Sequence, residues 1–182
     1  AAALTTLRRL WEEGDFVAAH QLGKAYRDGL GVAVDLDAAA DWFRRSAEAG
    51  NNCSAYALGK LLLGQDKFPQ AREWLQKASE QGDQYARYRL GKLLLTGAAG
   101  VPKDVDTAIQ YLKDSAAQGN QYAQYTLGKL YLLGREVKQD REEALRYLKQ
   151  AAAQGNAYAK YFIDHQDDFA GASVGTALIR IL

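Results

Sequence analysis

The chain has 182 residues, and its 23 Lys and Arg against 22 Asp and Glu give a formal net charge of +1. Bulk charge therefore draws it toward neither nucleic acid nor an anionic membrane, and no apolar run of about 18 residues is present to span a bilayer. A single cysteine, Cys53, excludes an intramolecular disulfide; this favours a reducing, cytoplasmic compartment over a secreted or periplasmic one.

The first ten residues lack the charged-then-apolar layout of a signal peptide, and the chain contains no Met. It reads as a piece of a longer or processed protein. Residues 1–13 are expected to form a helix, because Leu4, Leu7, Leu10 and Trp11 fall at i, i+3, i+6 and i+7. That stripe would pack on the first helix pair, either as the end of a preceding repeat or as a cap.

From residue 14 two landmarks recur. Gly followed by Asn or Asp stands at Gly14, Gly50, Gly82, Gly119 and Gly155, at intervals of 36, 32, 37 and 36 residues. Leu-Gly-Lys stands at Leu22, Leu58, Leu90 and Leu127. Spacings of this size belong to arrays of helix pairs. The expected units are 14–49, 50–81, 82–118, 119–154 and a partial 155–165, followed by a capping helix over 166–182 carrying Phe169, Val174, Ala177, Leu178 and Ile181.

In the first helix of each unit the anchor Leu has Ala or Ser four residues before it and mostly Leu three and four after it, which is helical spacing. The Gly after the anchor costs roughly 1 kcal/mol of helix propensity against Ala, so it is expected where another helix crosses closely. Gly29, Gly97 and Gly134 are placed to end the first helices, and Asp35, Asp104 and Asp140 to cap the second ones. The second helices carry a bulky pair flanked by small residues, such as Trp42 and Phe43 between Ala39 and Ala47, or Tyr147 and Leu148 between Ala144 and Ala151. Each ends at the landmark Gly. Trp11, Trp42 and Trp74 follow the core periodicity.

This pattern of Leu-Gly, Gly, Val, Asp, Ala, aromatic, Ala-Ala and Gly resembles the Sel1-like repeat, over about residues 14 to 165. The second copy departs from it: Gly64-Gln65-Asp66-Lys67-Phe68-Pro69 is four residues short and lacks the usual Val and Asp. The resemblance implies an all-α fold, a right-handed α-solenoid of antiparallel helix pairs related to tetratricopeptide arrays. It also implies a scaffold that binds proteins or peptides and is not an enzyme, with no cofactor. The phrasing around Gln121–Leu132 and Gln154–His165 is further similar to Sel1-like arrays fused behind the nuclease domain of mobilisation relaxases in gut Firmicutes. That likeness implies the alternative role of an accessory module docking a relaxase to conjugation proteins or contacting DNA.

On a helical wheel of about 100° per residue, positions −4, 0, +3 and +4 relative to the anchor point one way and −5, −2, +2 and +5 the other. The second set is the candidate partner-binding surface, expected on the concave side: Tyr56, Lys60, Tyr85, Tyr88, Lys92, Tyr122, Tyr125, Lys129, Tyr158 and Tyr161, with Leu63, Leu95 and Leu132 beside them. Tyr brings contact area at low entropic cost, and Lys a mobile cation. The expected partner is a protein or peptide, acidic in character, with nucleic acid disfavoured. Packing between repeats is the competing role, favoured for the tyrosines at −2; those at −5 are read as facing a ligand. The lysines suit a binding role or plain solvation equally.

Nothing in the chain reads as catalysis. His20 and His165 lie at opposite ends, and Cys53 has no partner for a thiolate or metal site. Asp164-His165-Gln166-Asp167-Asp168 matches no zinc or calcium spacing and reads as a solvated helix end. Gly97–Gly100 lacks the Lys and Ser or Thr of a phosphate loop.

Overall fold

A computed structural model describes residues 2–165. Among them are ten helices: α1 (Ala2–Glu12), α2 (Phe16–Asp28), α3 (Leu36–Glu48), α4 (Asn52–Gly64), α5 (Phe68–Glu80), α6 (Gln84–Thr96), α7 (Val105–Ala117), α8 (Gln121–Leu133), α9 (Arg141–Ala153) and α10 (Ala157–Asp164). The one β feature among the described residues is an isolated bridge between Ala98 and Val101. The all-α fold is thus as the periodicity predicts; the capping helix expected over 166–182 lies outside the described residues.

Two compact units are distinguished, Ala1–Leu90 with Gly97–Pro102, and Gly91–Thr96 with Lys103–Leu182. In the first, α1 to α5 each pack on their neighbours in sequence; in the second, α7 to α10 do the same. Nearest-neighbour packing through short connections is what makes helix-pair repeats additive.

The turn from second helix to first explains the Gly-Asn/Asp landmark. At the end of α3, Gly50 takes φ 96°, its N–H donates to Ala47 O at 3.0 Å, and Asn51 N–H reaches back to Ser46 O at 3.0 Å. The freed carbonyls of the helix end are thereby satisfied, in a conformation that Gly adopts without a Cβ penalty. Asn51 then turns its Oδ1 forward to accept from Ser54 N–H at 3.3 Å. Asn156 does the same for Ala159 at 3.0 Å, and Asp83 for Ala86 at 2.8 Å. One dipeptide therefore closes one helix and opens the next.

The other connections also behave as expected. Gly29 and Gly134 end α2 and α8 in the left-handed region, and Asp35, Asp104 and Asp140 cap α3, α7 and α9 through their side chains. At α5 the cap position holds Lys67, which makes no side-chain cap bond.

The core sits between first and second helices. Leu22, Leu58, Leu90 and Leu127 of the first helices are all buried, as are Phe43, Leu75, Leu112 and Leu148 of the second helices; each is a side chain whose burial stabilises by about 1.5–3 kcal/mol. Ala39, Ala40, Phe43, Leu58, Leu62 and Ala71 form one cluster in the first unit, and Leu132, Ala144, Leu148, Ala151, Ala159 and Phe162 another in the second. Trp11, Trp42 and Trp74 are half-buried. Trp11 meets Trp42 edge-on at 6.1 Å, and the outward faces of Trp42 and Trp74 are covered by Arg45 at 4.9 Å and Lys77 at 4.1 Å.

Candidate functional site

The candidate residues are carried on the first helices, and their exposure follows position. At −5, Tyr85, Tyr122 and Tyr158 are 46, 49 and 59 % exposed. At −2, Tyr56, Tyr88 and Tyr125 are half-buried, whereas Tyr161 remains exposed at the last described helix.

Within the first unit the Tyr56 ring packs on Tyr85 at 6.1 Å. Arg89 donates from Nε to the Tyr56 hydroxyl at 3.0 Å, with its guanidinium 5.9 Å from the ring centre. In the second unit Tyr125 stacks on Tyr158 at 5.9 Å, and Lys129 Nζ stands 5.5 Å from the Tyr125 ring. The same device thus recurs: a −2 tyrosine of one repeat pairs with the −5 tyrosine of the next, and a cation lies over the inner ring. Burial and the neighbouring Tyr158 push the Tyr125 hydroxyl pKa up.

The +5 positions differ from expectation. Leu132, expected on the free face, is 2 % exposed and belongs to the core cluster with Ala144, Leu148 and Phe162; Leu63 and Leu95 are half-buried. The physical reason is that +5 falls in the last turn, where side chains from the following helices close over a direction that an isolated wheel leaves open.

Charge is divided between the two kinds of helix. The first helices α2, α4, α6, α8 and α10 hold eight cations (Lys24, Arg27, Lys60, Arg87, Arg89, Lys92, Lys129 and Lys160) against two acids, Asp28 and Asp164. The second helices α3, α5, α7 and α9 hold eight cations against nine acids, and are laced with pairs such as Arg45 with Asp41 at 2.8 Å and Lys77 with Glu73 at 3.0 Å. Lys60 and Lys129 make no ion pair with a described residue. Partial burial, then Lys92 and Arg135, hold the Lys129 pKa below the usual lysine range, which registers an excess of positive charge on that side of the second unit.

His20 heads a buried chain of hydrogen bonds in the first unit. Ser46 donates to Phe16 O at 3.3 Å, Ser54 donates to Ser46 Oγ at 2.8 Å, and His20 Nδ1 lies 2.7 Å from Ser54 Oγ. Both hydroxyl protons are committed along the chain, so His20 must donate from Nδ1, which assigns its tautomer by the network. Burial lowers its pKa, and Lys24 and Arg27 lower it further. Ser46 and Ser54 are fully buried, which gives the chain a packing role and leaves no hydroxyl open to a substrate. Among the described residues no group of three or more His, Cys, Asp or Glu could hold a metal ion, and no helix is long and apolar enough to cross a membrane.

Comparison with known proteins agrees with this architecture. The Sel1 repeat family model matches residues 17–51, 54–83, 84–120 and 121–156. Among solved structures, the chain is similar to c5321, a protective antigen of uropathogenic Escherichia coli with an SLR fold, at 32 % identity and a TM-score of 0.78 over 86 % of this chain and 34 % of the antigen. It thus spans about a third of that protein. A Sel1 repeat protein from Oxalobacter formigenes is 26 % identical with a TM-score of 0.76, over 93 % of this chain and 78 % of its own. The immunity protein Pa5087 from Pseudomonas aeruginosa is 28 % identical with a TM-score of 0.57, over 87 % and 60 %. A search of curated proteins found no match.

Proposed function

The chain belongs to the Sel1-repeat family, whose members are typically protein-interaction scaffolds with an all-α solenoid fold, and from that premise we propose that it binds a protein or peptide partner on its first-helix faces and catalyses no reaction itself. The observation that carries this reading is the division of charge: eight cations against two acids on the first helices, with balanced second helices. A balanced, self-paired helix face satisfies itself, whereas an excess of one sign beside exposed tyrosines suits a surface that a partner completes. Tyr85, Tyr122, Tyr158 and Tyr161 supply contact area, Lys60, Lys92 and Lys129 supply charge, and Tyr56 and Tyr125 hold the outer rings of Tyr85 and Tyr158 in place. The proposed setting is cytoplasmic.

The test is affinity capture from the native host, repeated with Lys129→Glu and Tyr122→Ala chains of unchanged fold. A rim charge reversal and the loss of an aromatic contact should each weaken capture of the same partner. Equal capture by both variants and the wild type would remove the binding role from these faces.

A further inference from the structure

The short second repeat leaves an open cleft. In the first and fourth units the connection between paired helices runs from Gly29 to Asp35 and from Gly134 to Asp140, whereas α4 and α5 are joined by Gln65, Asp66 and Lys67 alone, with Asp66 at φ 56°. Nothing lies within 4 Å of where a Gly64 side chain would begin. Beside it a cleft of about 440 Å³ is lined by Arg27, Asp28, Leu36, Ala57, Lys60, Leu61 and Gly64.

The lining combines two cations, Arg27 and Lys60, and the Asp28 carboxylate that offsets Arg27 with the aliphatic side chains of Leu36, Ala57 and Leu61. Lys60 is exposed and has no ion pair among the described residues. Arg27 is held by Asp28 through its Nε and Nη2 edge at 2.7 and 2.6 Å, which fixes the guanidinium and leaves Nη1 without a described partner. Leu36 is 39 % exposed at the start of α3, an orientation that leaves its side chain facing solvent at the cleft.

We propose that this cleft is a docking site for a short acidic peptide segment, with a carboxylate beside Lys60 and Arg27 and the neighbouring aliphatic side chain on Leu36, Ala57 and Leu61. The inference rests on the scaffold reading above and locates one site within it. A prearranged guanidinium and a free ammonium favour a carboxylate, and an aliphatic floor rewards the side chain next to it. Nucleic acid is the poorer match, because single-stranded binding relies on aromatic platforms for the bases and no ring lines this cleft.

The test is selection from a random hexapeptide library displayed on phage, against the whole chain, followed by anisotropy titration of the winning peptide. Asp or Glu adjacent to Leu, Ile or Val should be enriched. Lys60→Glu should weaken the winning peptide at least tenfold and Leu36→Ser about threefold, while Lys149→Glu, on the exposed face of α9 in the other unit, stays within twofold. Leu36→Ser separates the aliphatic contact from charge, and a serine at the start of a capped helix keeps the fold. Winning peptides without an acid, or affinity that survives Lys60→Glu, overturn the cleft. A loss that follows Lys129→Glu alone overturns the cleft and leaves the scaffold reading standing; no enrichment at all overturns both. Competition by a labelled oligo-dT strand, with a steep salt dependence lost in Lys60→Glu, would assign the cations to phosphates and overturn the peptide proposal.

Discussion

Gly128 and Leu148 meet where α8 crosses α9, so closely that a Cβ on Gly128 would lie 2.7 Å from Leu148 Cγ and 3.3 Å from Ala144 O. The same relation joins Gly23 to Phe43, Gly59 to Leu75 and Gly91 to Leu112, with approaches of 2.6 to 2.8 Å. Gly128→Leu should therefore overpack the crossing and cost on the order of 1–3 kcal/mol despite the gain in helix propensity. Gly64→Ala, which has nothing within 4 Å to meet, should be neutral or stabilising by up to about 1 kcal/mol. Urea midpoints of the two variants should move apart; a common shift would show that propensity, not crossing, governs these glycines.

The caps offer a second contrast. Asp140 accepts from Glu143 N–H at 3.0 Å, so Asp140→Ala should lose about 1 kcal/mol. Lys67 supplies no cap to α5, and its ion pair with Asp37 at 3.3 Å is solvent-exposed and of little worth. Lys67→Ser should then raise stability by roughly 0.5–1 kcal/mol. A lower thermal midpoint for this variant would mean that the short connection cannot present a capping hydroxyl.

These relationships were legible to different degrees. The helical periods, the close-crossing Gly and the capping Asp35, Asp104 and Asp140 are local patterns, and local spacing is enough to read them. The forward cap by Asn51, Asp83 or Asn156 also has a local signature, since a capping residue stands directly before each helix, although the Gly beside it equally marks the end of the preceding helix. Burial of Leu132 was not readable from a wheel, because the side chains that cover it come from α9 and α10. Neither the tyrosine pairs nor the link from His20 through Ser54 to Ser46 has a signature in spacing. Each depends on the register of one helix against another, which tertiary packing sets.

His20 should make stability depend on pH with a defined sign. Its folded pKa is lowered by burial first and by Lys24 and Arg27 next, so between that value and about 6.5, the unfolded reference, the unfolded chain binds the extra proton. Stability is complete above about pH 6.5 and falls as pH drops toward the folded pKa, with no further loss from this group below it. In His20→Gln that part of the decline should vanish. Parallel denaturant midpoints for both chains between pH 7.5 and 5 would show that His20 titrates alike in the folded and unfolded states.

The tyrosine pairs decide whether the first-helix face is a packing seam, a binding surface or both. Tyr125 is half-buried with Lys129 over its ring, and Tyr158 lies against it at 5.9 Å while 59 % exposed. A double-mutant cycle with Tyr125→Ala and Tyr158→Ala should yield a coupling energy of about 0.5–1.5 kcal/mol for the stacked rings. Tyr125→Ala alone should cost more than Tyr158→Ala alone, because the inner ring loses buried area as well as its partner. Binding should follow the opposite order, since the outer ring offers the larger free surface and the inner ring acts through it. If Tyr158→Ala lowers stability as much as Tyr125→Ala and leaves partner affinity unchanged, the pair is a seam between repeats, and the binding role passes to the lysines alone.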